Sequence, residues 1–202
     1  MVAIIDYDAG NIRSVEKAVT ALGKEAVITG DVQTIRDAER VILPGVGAFG
    51  DAMGKLVSYG LVDVIHEVIR SGKPFLAICV GLQLLFDESE ESPGVKGLSV
   101  FPGKIRKIPA DAGLKVPQIG WNALHLTRES RLFRGVKEGA FVYFVHSYYL
   151  ESEQPGLVTA TTEYATTIHA AVEHENVFAT QFHPEKSSRV GLKILSNFLE
   201  MN

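Results

Sequence analysis

A single cysteine in 202 residues rules out an internal disulfide and fits a chain kept in a reducing cytoplasm. Basic charge is not in excess either. Twenty Lys and Arg stand against 24 Asp and Glu, a formal net charge of −4, and no basic run interleaves with aromatics. That balance argues against a nucleic-acid binder. No apolar stretch approaches the length of a membrane-spanning helix, so no membrane partner is expected. The opening MVAIIDYDAGN has no basic region followed by a long apolar core and a small-residue cleavage site, so no signal peptide is expected. Internal repeats, low-complexity tracts and convincing linkers are missing, and one domain spanning residues 1–202 is the expectation. His, Asp and Glu nowhere cluster at metal-ligand spacing; neither a metal nor another cofactor is expected.

What is present is a globular composition, 46% hydrophobic and 22% charged. The first half alternates between two periods. Apolar strands are predicted at Val2–Asp6, Glu25–Thr29, Arg40–Leu43 and Phe75–Ile78, with a polar turn over Tyr7–Gly10. Between the strands, helical spacing appears at Asn11–Leu22 (stopped by Gly23), Val32–Ala38, Asp51–Tyr59 and Leu61–Ser71. Strands alternating with helices imply a parallel sheet covered on both faces. From Leu98 the chain turns strand-rich, at Leu98–Phe101, Trp121–Leu126, Phe141–Val145, Leu157–Thr162, Thr167–Glu173 and Asn176–Phe182. Short turns between these favour antiparallel additions. Ala110–Gln118 reads as an exposed excursion and Arg189–Leu199 as a closing helix. The predicted class is therefore α/β: a central mixed, mostly parallel sheet with helices on both faces, of flavodoxin-like character.

The lone cysteine falls at the most constrained point of the chain. In Lys73–Phe86, KPFLAICVGLQLLF, an apolar strand meets Cys79 and turns at once into an apolar-faced helix. Ala77 and Gly81, two residues before and two after, are both small. A reactive side chain on a sharp strand-to-helix turn has this form, because the turn brings strand and helix backbones together. A helix starting there aims unpaired N–H groups at the sulfur, which favours the thiolate. Set against this, a cysteine in an apolar strand is more often a small buried hydrophobe. Pro44-Gly45-Val46-Gly47 also follows a strand directly and shares the predicted carboxyl edge of the sheet, where ligands bind. Its glycines permit inward-aimed N–H donors, as does the N–H of Val80, although a plain tight turn uses the same residues.

A thiol nucleophile needs a base, and the base needs an orienting group. Of six histidines, His66 lies in a predicted helix, His125 and His169 alternate along strands, and His174 sits in an acidic turn. His183 follows an apolar strand, is stiffened by Pro184, and has Glu185 two residues on. His146, in Tyr143-Phe144-Val145-His146-Ser147-Tyr148, is the rival base, but no carboxylate follows it closely. The acidic run Asp87–Glu91 reads as a solvated loop.

The elbow Ala77-Ile78-Cys79-Val80-Gly81-Leu82-Gln83 and the segment Gln181-Phe182-His183-Pro184-Glu185-Lys186-Ser187 together resemble the triad, or class I, glutamine amidotransferases. Three further stretches resemble the glutaminase subunits of imidazole glycerol phosphate synthases within that family. They are Pro44–Gly47 with Phe49-Gly50, Pro117-Gln118-Ile119-Gly120-Trp121-Asn122, and Tyr143–Tyr148. The resemblance covers essentially the whole chain. It implies Cys79 as nucleophile, His183 as general base and acid, and Glu185 as orienter. An oxyanion hole from Val46, Gly47 and Val80 follows, with a loop that rearranges before its donor points inward. Gln83, Glu91, Ser147 and Tyr148 fall where relatives contact glutamine; Trp121, Asn122, Tyr143, His146 and Lys186 fall on a partner-facing side. The implied partner is a (β/α)8-barrel cyclase subunit forming a heterodimer and consuming ammonia in histidine biosynthesis. The chain departs from the family at Ala77, where many relatives carry glycine, and at Val80, where leucine is commoner. The competing readings are a glutaminase serving a different synthase, and a non-catalytic binding module of the same fold.

Overall fold

The computed structural model describes residues 1–8, 10, 12–110 and 113–201. Chain order runs β1 (Val2–Ile5), α1 (Ile12–Ala21), β2 (Ala26–Thr29), α2 (Val32–Asp37), β3 (Arg40–Gly45), α3 (Phe49–Ser58), α4 (Val62–Arg70), β4 (Phe75–Cys79) and α5 (Val80–Leu84). Short β5 (Glu88–Ser89) and β6 (Lys104–Lys107) follow, then β7 (Gln118–Ala123), β8 (His125–Leu126), β9 (Phe141–His146), β10 (Tyr148–Glu151), β11 (Val158–Tyr164), β12 (Thr166–His174), β13 (Val177–Thr180) and α6 (Ser188–Leu199). Ala9 in the expected turn, Asn11 at the expected start of α1, and residues 111–112 of the excursion lie outside the described residues.

The main sheet runs β2-β1-β3-β4-β13-β12-β10-β6-β5. Its first five strands are parallel, and β12, β10 and β6 add antiparallel beyond them. The chain moves one way from β1 to β2 and the other way from β2 to β3 and β4. With right-handed crossovers, α1 and α2 then fall on opposite faces. Contacts agree, pairing α1 with α6 and α2 with α4. Where helices cover both sides the parallel strands are buried: β1, β4 and β13 at every residue, while the outer strand β2 is half-buried along its length. Among the described residues no helix is long and apolar enough to cross a membrane.

Two departures from the sequence reading have clear causes. Leu98–Phe101 is apolar but not a strand. Its N–H groups instead satisfy the last carbonyls of α5, Leu98 to Leu84 at 2.7 Å and Val100 to Leu85 at 2.8 Å. Conversely, β6 (KIRK) and β10 pair with each other in register. In β6, which lies between β10 and the two-residue β5, three of four residues are charged and hide the period from a hydrophobic reading. A separate ribbon, β7 with β9, packs one face inward, and that ribbon overhangs the carboxyl edge where β3, β4 and β13 end.

Candidate active site

Register places the reactive elements side by side. Gly45 at the end of β3 pairs with Cys79 at the end of β4, and β13, which leads to His183, lies on the other side of β4. Cys79 has φ 57° and ψ −111°, a conformation costing about 1–3 kcal/mol that persists only where its surroundings enforce it. They do so by close approach. A Cβ on Gly81 would lie 2.2 Å from the Leu43 carbonyl oxygen, and one on Gly45 would lie 2.6 Å from the Gly81 nitrogen. Ala77 is no obstacle, since its methyl would stand 3.6 Å from such a Gly81 Cβ, ordinary contact. Tyr7, fully buried, donates from its hydroxyl to the Pro44 carbonyl at 2.8 Å and anchors the glycine loop from below. Burial and then the neighbouring Cys79 hold its phenol neutral well above the ordinary range.

His183 is 2% exposed. Its Nδ1 lies 2.8 Å from Glu185 Oε1, while Nε2 is buried without a hydrogen-bond partner of its own. Burial opposes charge on this ring, but the Cys79 thiol and then Glu185 outweigh it and raise the pKa to about 10. A carboxylate-held imidazole whose protonated form is favoured thus lines the same cleft as Cys79, a residue 4% exposed. The sulfur lies 4.0 Å from the Val145 carbonyl oxygen and 3.7 Å from Gln181 Nε2.

These groups border a cleft of about 490 Å³, lined by Val46, Gly47, Val80, Gln83, Glu91, Ser147 and Tyr148 among others. The expected oxyanion and substrate residues are therefore brought together around Cys79 and His183. Gly47 has φ +89°, which only glycine adopts without strain. Glu91 does more than line the cleft: its Oε2 accepts the Phe49 N–H at 2.8 Å, and Ser92 Oγ accepts that of Gly50 at 2.9 Å. Ala48 offers α3 no side-chain cap, so the acidic loop supplies one from a distance. In a larger hollow of about 780 Å³ between Leu126 and Arg134, Arg131 and Ser130 are both tied to Glu173, at 2.8 and 2.6 Å.

The expected partner face divides by strand alternation. Ile119, Trp121, Phe141 and Tyr143 share the outer face of the ribbon, where Ile119 is 63%, Trp121 52% and Phe141 57% exposed. The Trp121 and Tyr143 rings meet edge-on at 6.2 Å, and Lys186 Nζ stands 6.0 Å over Tyr143. Asn122 and His146 belong to the inner face instead. Asn122 donates to the Glu163 carbonyl at 2.9 Å. His146 is buried, with Nδ1 2.8 Å from the Tyr148 carbonyl and Nε2 2.9 Å from the Gln118 carboxamide. Burial lowers its pKa to about 4, with the nearby His183 adding to the effect against the Tyr148 hydrogen bond. The Gln118 carboxamide is placed with Oε1 toward Nε2; a neutral ring that donates from Nδ1 can only accept at Nε2, and the amide then has to turn end for end to donate to it. Both ring nitrogens of His146 are engaged within the protein, and the side chain braces the cleft wall. Gln181 was missed at the sequence level. The available signal was its place two residues before His183, on the same side of an extended segment.

Comparison with known proteins agrees with this geometry. The family model described as glutamine amidotransferase class-I matches residues 3–201. The imidazole glycerol phosphate synthase subunit HisH of Syntrophotalea carbinolica is 48% identical over the whole of both chains. That of Moorella thermoacetica is 50% identical, over 99% of this chain and 94% of its own. Among solved structures, a glutamine amidotransferase superposes with a TM-score of 0.77 at 19% identity, covering 99% and 98% of the two chains. PurLQS from Thermotoga maritima gives 0.75 at 20% identity, covering 98% and 96%. With its strained cysteine, its carboxylate-held histidine and a family match over nearly its full length, this chain belongs to the class-I glutamine amidotransferases.

Proposed function

We propose that the chain is the glutaminase subunit of an imidazole glycerol phosphate synthase, acting as one domain and handing ammonia to a barrel-shaped cyclase subunit in histidine biosynthesis. The observation that carries the reading is a histidine held by Glu185 that shares with Cys79 the lining of one cleft, sized for a small amino acid. The Cys79 thiolate attacks the side-chain amide carbon of glutamine. The oxyanion that forms is met by N–H groups of Val80 and of the Val46–Gly47 segment. His183 gives its proton to the departing nitrogen, releasing ammonia and leaving a γ-glutamyl thioester. The neutral imidazole then takes a proton from water as the hydroxide adds to the thioester carbon. Collapse returns Cys79 as thiolate beside protonated His183, and glutamate leaves with a proton lost to solvent. Gln83, Glu91, Ser147 and Tyr148 hold the substrate during these steps.

Ammonia released into bulk water is protonated and lost as a nucleophile, so direct transfer to a partner suits the chemistry. The apolar outer face of the ribbon, with Trp121, Tyr143 and Lys186, borders the cleft and suits a cyclase docking surface; apolar cores with aromatic anchors are typical of such interfaces. A cytoplasmic location suits a sole cysteine that must remain a thiol. The test is glutamate release from glutamine with and without the cyclase subunit. Wild type is expected to be slow alone and stimulated by the partner. Cys79→Ala is expected to lose at least about a thousandfold in kcat; full activity in that variant overturns the reading.

A further inference from the structure

We propose that Gln181 is a further catalytic residue, whose side-chain N–H donates to the Cys79 thiolate and holds the sulfur in line for attack. Gln181 is wholly buried, and its Nε2 lies 3.7 Å from Cys79 Sγ, within reach of a hydrogen bond to sulfur. The two ends of a carboxamide look alike, so its direction has to be argued. A backbone carbonyl fixes it. Tyr148 O can only accept, so the end of Gln83 lying 3.0 Å from it is the NH2 group. That same nitrogen lies 3.1 Å from the near end of the Gln181 side chain, which must then be the oxygen. The remaining end of Gln181, facing sulfur, is therefore the donor. The chain from Tyr148 O through Gln83 and Gln181 to Cys79 has one direction, and it ends by presenting N–H to sulfur.

The second neighbour of the sulfur makes this donor matter. Val145 O, 4.0 Å away, can accept a hydrogen bond from a thiol but opposes a thiolate. Beyond the N–H groups that open α5, His183 and Gln181 are the side chains beside the sulfur that favour its charged form, and His183 leaves that role once it delivers its proton to ammonia. Gln181 cannot give up its proton. It keeps a fixed donor on the sulfur after His183 is neutral, including when thiolate departs from the tetrahedral intermediate in the hydrolytic half of the cycle. Hydrogen bonds to charged groups are about twice as strong as neutral ones, and most so when buried. Gln181 and His183, two residues apart, thus reach the same atom from one extended segment.

The substrate in this assignment rests on the glutaminase reading; the state of the sulfur does not, and can be read separately. The experiment is iodoacetamide alkylation of Cys79 in the full chain, from acid to alkaline pH, for wild type, Gln181→Met and Gln181→Glu. Methionine keeps the length and loses the donor; glutamate places a carboxylate against the sulfur. For Gln181→Met the pH of half-maximal alkylation is expected to rise by about one to two units. Its kcat for glutamate release with the cyclase present should fall about tenfold to a hundredfold, with KM changed less than about threefold. Gln181→Glu should move the alkylation profile further. A folded Gln181→Met chain whose alkylation profile superposes on wild type overturns the proposal. Should the variants not fold, the side-chain amide protons of Gln181 in labelled wild type are followed by NMR as Cys79 titrates and after it is alkylated. A shift on both supports the hydrogen bond, and resonances unmoved by either overturn it. A Gln181→Met profile shifted as expected, in a chain whose wild type releases no glutamate even with the cyclase present, supports the role of Gln181 at the thiolate and overturns the glutaminase reading.

Discussion

Cys79 works in a backbone conformation that its neighbours impose, and the imposition is traceable to two missing Cβ atoms. At Gly81 the clash would be with a backbone carbonyl, 2.2 Å from a hypothetical Cβ, which no rotamer change relieves. Gly81→Ala is expected to cost several kcal/mol, of the order of 3 or more, or to shift α5 and abolish alkylation of Cys79. Thermal melting and labelling together check this. The histidines give pH predictions of opposite sign. His146 has its pKa lowered to about 4 in the fold, against about 6.5 for an unperturbed imidazole. The unfolded chain then takes up a proton that the folded chain refuses, and stability falls as pH drops from about 6.5 to about 4. His146→Gln should flatten that decline, removing roughly 3 kcal/mol of pH dependence, as read from denaturant unfolding at neutral and acid pH. His183 is raised to about 10, so its contribution is complete below about 6.5 and disappears as pH rises to about 10.

Among the elements, the parallel half of the sheet was legible because burial on both faces writes continuous apolar runs, as in β1, β4 and β13. Cys79 and His183 were legible for a related reason, since each punctuates the end of such a run. What escaped was written in a different currency. β6 carries three charged residues in four and is fixed by its pairing with β10. The Leu98–Phe101 segment spends its N–H groups on α5. Gln181 acts through a carboxamide whose direction depends on Gln83 and Tyr148, which no local pattern reveals. In the ribbon, the partner motif was read as contiguous, although alternation sends Asn122 and His146 inward. Glu91 was read first as solvated charge, yet it caps α3. Glu91→Ala is expected to lower stability by about 1 kcal/mol, measurable as a fall in Tm.

For the whole molecule, the outer face of the β7–β9 ribbon gathers three of the six exposed large hydrophobic side chains among the described residues, Ile119, Trp121 and Phe141. Trp121→Ala is expected to weaken binding of the cyclase subunit by at least about tenfold, read by calorimetry or sedimentation. The glycine loop beside that face is held at both ends. On one side Pro44 is tied to Tyr7 and Gly45 is in register with Cys79. On the other, Phe49 and Gly50 are bonded to Glu91 and Ser92. Only Val46, Gly47 and Ala48 lie between the two clamps. A segment so short has no room to swing as a lid, and its motion reduces to turning one or two peptide planes in place. Under the proposed function, activation by the cyclase is expected to be a local rotation that leaves both anchors bonded. The amides of Phe49 and Gly50 should accordingly keep their hydrogen-exchange protection when the cyclase binds, while that of Gly47 changes.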